Sequence, residues 1–275
     1  MRLSLSEIST VDATFAEDVP AYAAAGFDAI GIWEFKLPAD DAANLALLRA
    51  HGLRVANVVP RAPSILQLAL LGEWGPDDPE ARIEGLCATV RRLAPYEPEC
   101  VLFLTGPAGD RAPDEARAIV ADGIRRIAAA AREVGVRVGL EPVHPTQEAL
   151  TSFVTSVAAA DELLAEAGAD DVGVLVDTYH VWDDPDLDAW LAANAARVTG
   201  LHVGDWPADP TRTDRELPGE GGGRSREIVG VLRRAGWNGS LDVEVFSTPE
   251  GFWGLPVDAA AREAHAAGSS VRGPL

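Results

Sequence analysis

The sequence predicts an α/β protein built as a single (β/α)8 barrel. Short β-branched runs alternate with Ala/Leu/Arg-rich stretches of helical period, and eight such pairs fit into the 275 residues. No linker or shift in composition divides the chain. No Gly-x-Gly-x-x-Gly follows a strand, so an open dinucleotide-binding sheet loses its main support.

The strands are expected near Leu3–Ser6, Ala29–Glu34, Arg54–Val58, Val101–Thr105, Arg137–Glu141, Gly173–Asp177, Thr199–Val203 and Leu241–Phe246, with helices filling the gaps. Gly26, Gly52, Gly135 and Gly236 each follow a helical stretch, where a residue free to adopt positive φ ends the helix. Pro113 and Asp114 open one helix, and Asp186 is placed to cap another. Residues 1–267 form the barrel in this reading, and 268–275 are expected to be a disordered tail.

Forty-three acids against 23 bases give a net charge of −20, which repels a phosphate backbone and favours cationic partners, divalent metal among them. Nucleic acid is excluded as a partner on that ground. The first residues lack a charged segment leading into a long apolar one, and no apolar run is long enough to span a bilayer. A cytoplasmic protein without a membrane partner is expected, and a homo-oligomer is compatible with the sequence. Cys87 and Cys100 have no Cys-x-x-Cys spacing and read as free structural thiols. Lys36 is the only lysine beside 22 arginines.

Barrel chemistry gathers where strands end, so the residue closing each strand is informative. The last four strands close on Glu141, Asp177, His202 and Glu244, and alternation points all four into the barrel mouth. Charged residues also cap strands simply because they meet water there, but four in succession exceed that expectation. Three carboxylates and one imidazole make a hard donor set, suited to one divalent ion: Mn²⁺ first, then Mg²⁺, Co²⁺ or Zn²⁺. Such an ion leaves two positions for adjacent oxygens of a hydroxy-ketone, and the reaction class that follows is proton abstraction next to a carbonyl.

The segments Gly139-Leu-Glu-Pro-Val, Val174-Leu-Val-Asp-Thr-Tyr-His-Val-Trp, Leu201-His-Val-Gly-Asp-Trp, Leu217-Pro-Gly-Glu-Gly and Val243-Glu-Val-Phe occur in one order along most of the chain. Together they resemble the xylose isomerase-like TIM barrels, the sugar phosphate isomerase/epimerase superfamily (AP endonuclease family 2). That superfamily contains hydroxypyruvate isomerases, ketose 3-epimerases, inosose isomerases and dehydratases, 3-dehydroshikimate dehydratases and DNA-repair endonucleases. The resemblance implies that Glu141, Asp177, His202 and Glu244 are metal ligands. It also implies that Glu141 and Glu244 are the catalytic pair, one removing a proton and the other returning it. His180 matches a histidine that contacts substrate, and Arg215 an arginine that does the same, with Arg212 competing for that role. Gln147 departs from the ketose-epimerase pattern, which has a glutamate there. His144 stands behind the site, on the substrate, or in a structural role within its loop.

Five of the seven tryptophans, Trp33, Trp74, Trp182, Trp206 and Trp253, fall in segments assigned to the rim, where an indole can cover the C–H face of a sugar. Trp33 and Trp206 are taken as substrate-binding. Lys36 is taken as a further contact to a substrate oxygen, against the alternative of a surface position paired with Glu34. The glycine-rich loop Gly219–Gly223 follows strand seven, where many barrels hold phosphate, but Glu220 within it argues against an anion. The expected substrate is a small unphosphorylated keto-sugar or keto-cyclitol, acted on by an isomerase or epimerase. The alternative is a metal-dependent lyase of the inosose or 3-dehydroshikimate dehydratase kind, or one that eliminates from a keto-glycoside.

Overall fold

The computed structural model describes residues 1–69, 75–209, 212 and 214–273. Eight parallel strands close on themselves in chain order. They are β1 (Arg2–Ser6), β2 (Ala29–Trp33), β3 (Arg54–Val59), β4 (Cys100–Phe103), β5 (Val138–Leu140), β6 (Gly173–Asp177), β7 (Val198–Val203) and β8 (Ser240–Val243). Each expected strand is present; β6 has its expected bounds, and no end of the others moves by more than three residues. The largest trims fall at the C-terminal ends of β4 and β8, where the chain leaves the ladder to build the rim.

The helices form the outer layer: α1 (Phe15–Ala25), α2 (Asp41–His51), α3 (Pro79–Leu93), α4 (Pro113–Val134), α5 (Val157–Glu166), α6 (Thr178–Val181), α7 (Leu187–Asn194), α8 (Ser225–Arg234) and α9 (Val257–Arg272). α2 and α4 end on Gly52 and Gly135, both at φ +71°, as the sequence implies. Asp186 occupies the position before α7 but makes no side-chain cap bond. Asp184 instead accepts from the Asp186 amide, at 3.1 Å.

Residues 268–272 correct the expectation of a disordered tail. They belong to α9, whose Ala260, Ala261, Ala264, Ala267 and Val271 are buried, with Gly268 packed on Leu3, Leu241 and Val243. A glycine at 268 permits that approach, because a Cβ there would stand 3.0 Å from Val243. Pro274 and Leu275 lie outside the described residues.

The main core fills the space between strands and helices. A smaller cluster plugs the barrel itself: Ile8, Trp33, Val59, Cys100, Leu102 and Leu175. Leu175 fits because β7 offers Gly200 beside it, where a Cβ would lie 2.8 Å from Leu175 Cδ1. Both cysteines are buried and free. No helix among the described residues is long and apolar enough to cross a membrane.

Candidate active site

The alternation read from sequence holds inside the barrel. Asp177 pairs with His202 in the β6–β7 register and His202 with Asp242 in the β7–β8 register, so all three face inward. Glu141 and Glu244 follow the last residues of β5 and β8, where their amides still donate to Phe103 and Val203 of the neighbouring strands. Glu141, Asp177, His202 and Glu244 therefore converge, and all four are buried.

Ligand atoms of Glu141, Asp177 and His202 lie within 4.8 Å of one another, the one such group among the described residues. His202 Nδ1 is 3.5 Å from Glu141 Oε1 and 3.3 Å from Glu244 Oε2, yet has no well-formed hydrogen bond. Glu244 stands at the fourth corner. Its Oε2 accepts from Arg215 Nη1 at 3.1 Å, and its Oε1 from Ser6 Oγ at 3.3 Å. Ser6 in turn accepts from Trp33 Nε1 at 2.9 Å; an indole can only donate, so the Ser6 hydrogen is directed at Glu244.

Burial pushes the Glu141 carboxyl up to about 7, against the pull of His202. Burial would also raise Asp177 and Glu244, but Arg215 and His202 outweigh it and hold both below the usual carboxylate range. Burial would lower His202, but the neighbouring Glu244 and Glu141 outweigh it and hold the imidazole well above 6.5. This excess of buried negative charge around an imidazole edge fits a divalent cation bound by hard oxygen donors and one nitrogen.

Above this floor opens a cavity of about 240 Å³. Its wall has a polar and an apolar part. β5 to β8 contribute Glu141, His180, His202, Arg215 and Glu244, with Gln147 and Thr151 from the loop after β5. Val59, Pro63, Leu68, Leu102, Leu104 and Val143 make its apolar part, together with Trp33 and Phe246. Leu68, Leu104 and Val143 pack on each other within it. Asp177 is absent from the wall; it lies underneath, its Oδ2 receiving Arg215 Nη1 at 2.7 Å.

Arg215 is buried and pinned, with its guanidinium carbon 4.4 Å from the Tyr179 ring centre and 4.8 Å from that of Phe246. Arg212, its competitor, is exposed and paired with Asp214 and Glu216. His180 Nδ1 accepts the His144 amide at 3.2 Å, which places its proton on Nε2, 3.7 Å from Asp177 Oδ2. Burial keeps that imidazole neutral by lowering its pKa to about 4.

Of the six residues expected on the substrate, Trp33, His180 and Arg215 line the cavity, and three do not. Lys36 is the clearest correction. Its Nζ donates to Glu7 O at 2.9 Å, Thr10 O at 2.8 Å and Asp18 Oδ2 at 2.6 Å, so every hydrogen is consumed inside the protein. Trp206 stacks on Tyr179 with ring centres 4.9 Å apart. His144 packs on Trp206 at 4.4 Å and points its ring nitrogens at Thr146 and Asp183. These two form a layer behind the site rather than its wall. Trp182 joins that layer 6.0 Å from Trp206, and Trp253 backs Phe246 at 6.2 Å. Trp74 lies outside the described residues.

The loop after β7 shows what sequence reading missed. Asp205 is buried, and its carboxylate accepts from the amides of Gly219 at 2.9 Å, Gly221 at 3.2 Å and Ser225 at 3.3 Å, the last at the start of α8. The glycine loop and helix terminus do form an anion cradle, and the chain's own aspartate fills it. Asp205 stands two residues past β7 and fourteen before Gly219, so nothing local in the sequence links it to the glycine-rich loop.

The fold is a closed eight-stranded parallel barrel with buried carboxylates and an imidazole gathered at its mouth. The chain belongs to the xylose isomerase-like TIM barrel family, whose model matches residues 19–268. It is 26% identical over 121 residues to an inosose isomerase of Halalkalibacterium halodurans, a match spanning 42% of each chain. Protein SMc04130 of Sinorhizobium meliloti 1021 superposes with a TM-score of 0.84 at 27% identity, over 96% of both chains. The IolI protein, solved with a zinc atom, shares the fold at a TM-score of 0.80 and 20% identity, over 99% of this chain and 98% of its own.

Proposed function

We propose that this protein is a divalent-metal-dependent isomerase or epimerase of a small, unphosphorylated keto-sugar or keto-cyclitol. The observation that carries the reading is the convergence of Glu141, Asp177, His202 and Glu244 at the cavity floor, with both glutamates exposed to the substrate space and Asp177 beneath it. Glu141, Asp177, Glu244 and His202 through Nδ1 would hold the ion, Mn²⁺ being the first choice for this donor set. When bound, a divalent cation supplies Lewis acidity that stabilises negative charge developing on substrate oxygens.

The chain's own groups do the rest. Glu141 and Glu244 take and return the proton on the carbon next to the carbonyl, within reach because both line the cavity. Arg215 and the Nε2–H of His180 donate to substrate oxygens from the polar part of the wall. The apolar part takes the hydroxyl-poor side of the substrate, since a hydroxyl buried against Leu104 and Val143 would lose its hydrogen bonds to water. Two features favour an unphosphorylated compound: the cavity is small, and Asp205 already occupies the anion cradle after β7. The inosose isomerase relative supports a keto-cyclitol among the candidates.

The test is a product screen. Mn²⁺-loaded protein is incubated with keto-hexoses and inososes and followed by NMR and ultraviolet absorbance. An isomer or epimer appearing without loss of water supports the reading. An enone absorbance would assign a lyase instead.

A further inference from the structure

Below His202 the barrel holds a second polar cluster that the reaction does not use. Ser4 on β1 pairs with Asp242 in the β1–β8 register, and His202 pairs with Asp242 in the β7–β8 register, so the three side chains share one inner face. Asn57 reaches in from β3, its Nδ2 donating to Asp242 Oδ2 at 2.7 Å. Room for that carboxylate comes from Gly31 on β2, where a Cβ would stand only 2.1 Å from Asp242 Oδ2.

Four atoms of this cluster are sealed from solvent and make no well-formed hydrogen bond among the described residues: Ser4 Oγ, which lies beside the Asp242 carboxylate, Asn57 Oδ1, Asp242 Oδ1 and His202 Nε2. The nearest approach of His202 Nε2 to Asp242 Oδ2, 3.7 Å, is too long for a direct bond. The four are complementary in kind. A carboxylate oxygen and an amide oxygen can only accept, whereas the serine hydroxyl and the outer imidazole nitrogen have hydrogens to give. A bare cation would face two donors, and an anion would face a carboxylate. A water molecule has two hydrogens and two lone pairs, and matches the set.

We propose that Ser4, Asn57, Asp242 and His202 enclose one structural water, and that through it Asp242 acts as a positioning residue. The water holds the proton of His202 on Nε2 and so leaves Nδ1 turned toward Glu141 and Glu244. The role given to Nδ1 rests on the metal reading above; the water itself does not.

The test combines a high-resolution crystal structure of the full chain, long-range ¹H–¹⁵N spectra of ¹⁵N-histidine-labelled protein loaded with Zn²⁺, and Zn²⁺ titration of the parent and Asp242→Asn. One water peak within about 2.7–3.2 Å of the four atoms is expected. So are an Nε2–H signature for His202 and a loss of about tenfold to a hundredfold in Zn²⁺ affinity in Asp242→Asn. An empty or ion-like density peak overturns the water whether or not any variant folds. A water peak together with an Nδ1–H signature, or with equal affinity in a folded Asp242→Asn, overturns the positioning role. Failure of the parent to bind Zn²⁺ overturns the metal reading and that role together, and leaves the water to be judged from the density.

Discussion

Lys36 Nζ lies 2.6 Å from Asp18 Oδ2, and both side chains are almost wholly withdrawn from water. A buried pair of this kind is costly to break, because the partner left behind is an uncompensated charge. Lys36→Met should therefore lower stability by about 3–5 kcal/mol, read from denaturant unfolding. Activity per folded molecule should stay within about twofold of the parent, since Lys36 does not line the cavity. A folded variant of parental stability that turns over a hundredfold more slowly would restore Lys36 to the substrate.

Glu7 lies next to that pair and gives the fold a pH dependence. Burial pushes its carboxyl up to about 8 despite Lys36, and the Trp33 amide donates to one oxygen at 2.9 Å. The folded state thus holds this proton more tightly than the unfolded chain, where the carboxyl titrates near 4.5. The contribution is fully present below about pH 4.5 and is lost as pH rises through about 8. Glu7→Gln should flatten the melting temperature between those values and raise it above pH 8. A variant whose melting profile parallels the parent's across this range would refute the assignment.

Asp205 predicts a response to phosphate. Removing its carboxylate leaves the amides of Gly221 and Ser225 without an acceptor, while Gly219 keeps Ser225 Oγ at 3.1 Å; the buried Ser225 amide alone costs roughly 1–3 kcal/mol when unsatisfied. Inorganic phosphate should raise the melting temperature of Asp205→Gly or Asp205→Ala and leave the parent unmoved. Equal shifts in parent and variant would show that the cradle lies elsewhere.

The apolar part of the wall predicts a preference among substrates. Of two keto-polyols differing by one hydroxyl on the side away from the carbonyl, the deoxy compound should have the higher kcat/KM, by roughly tenfold to a hundredfold. Leu104→Asn should narrow that ratio. Indifference of the parent to the hydroxyl would place the substrate against another part of the wall.

How far the site could be read from sequence depends on the distance over which its parts interact. Strand positions and the inward set Glu141, Asp177, His202 and Glu244 follow from period-two alternation and the rule that strand ends form the mouth, both local properties. Lys36 did not follow, because its partners lie in the turn Glu7–Thr10 and on α1, which fold under the β2 loop only in the closed barrel. Trp206 did not follow for the same reason: it has a rim position along the chain, but its ring packs on His144, which takes the place behind the site that was one of its expected positions. Leu104 and Val143 read as ordinary strand and loop residues, and only the closed circle brings them to the cavity that Glu244 also lines.

Under the proposed function, Glu141 and Glu244 exchange a carbon-bound proton on a metal-loaded keto-polyol site. The most direct measurement is deuterium uptake from D₂O into keto-sugars and inososes, followed by ¹H NMR for Mn²⁺-loaded then Mg²⁺-exchanged parent, Glu141→Gln and Glu244→Gln, with metal content determined in parallel. Uptake is expected at one carbon next to the carbonyl in the parent, with none after chelation and a loss of at least about a hundredfold in both variants at near-parental metal content. Uptake that survives chelation, or that proceeds at the parental rate in either variant, would contradict the proposed function.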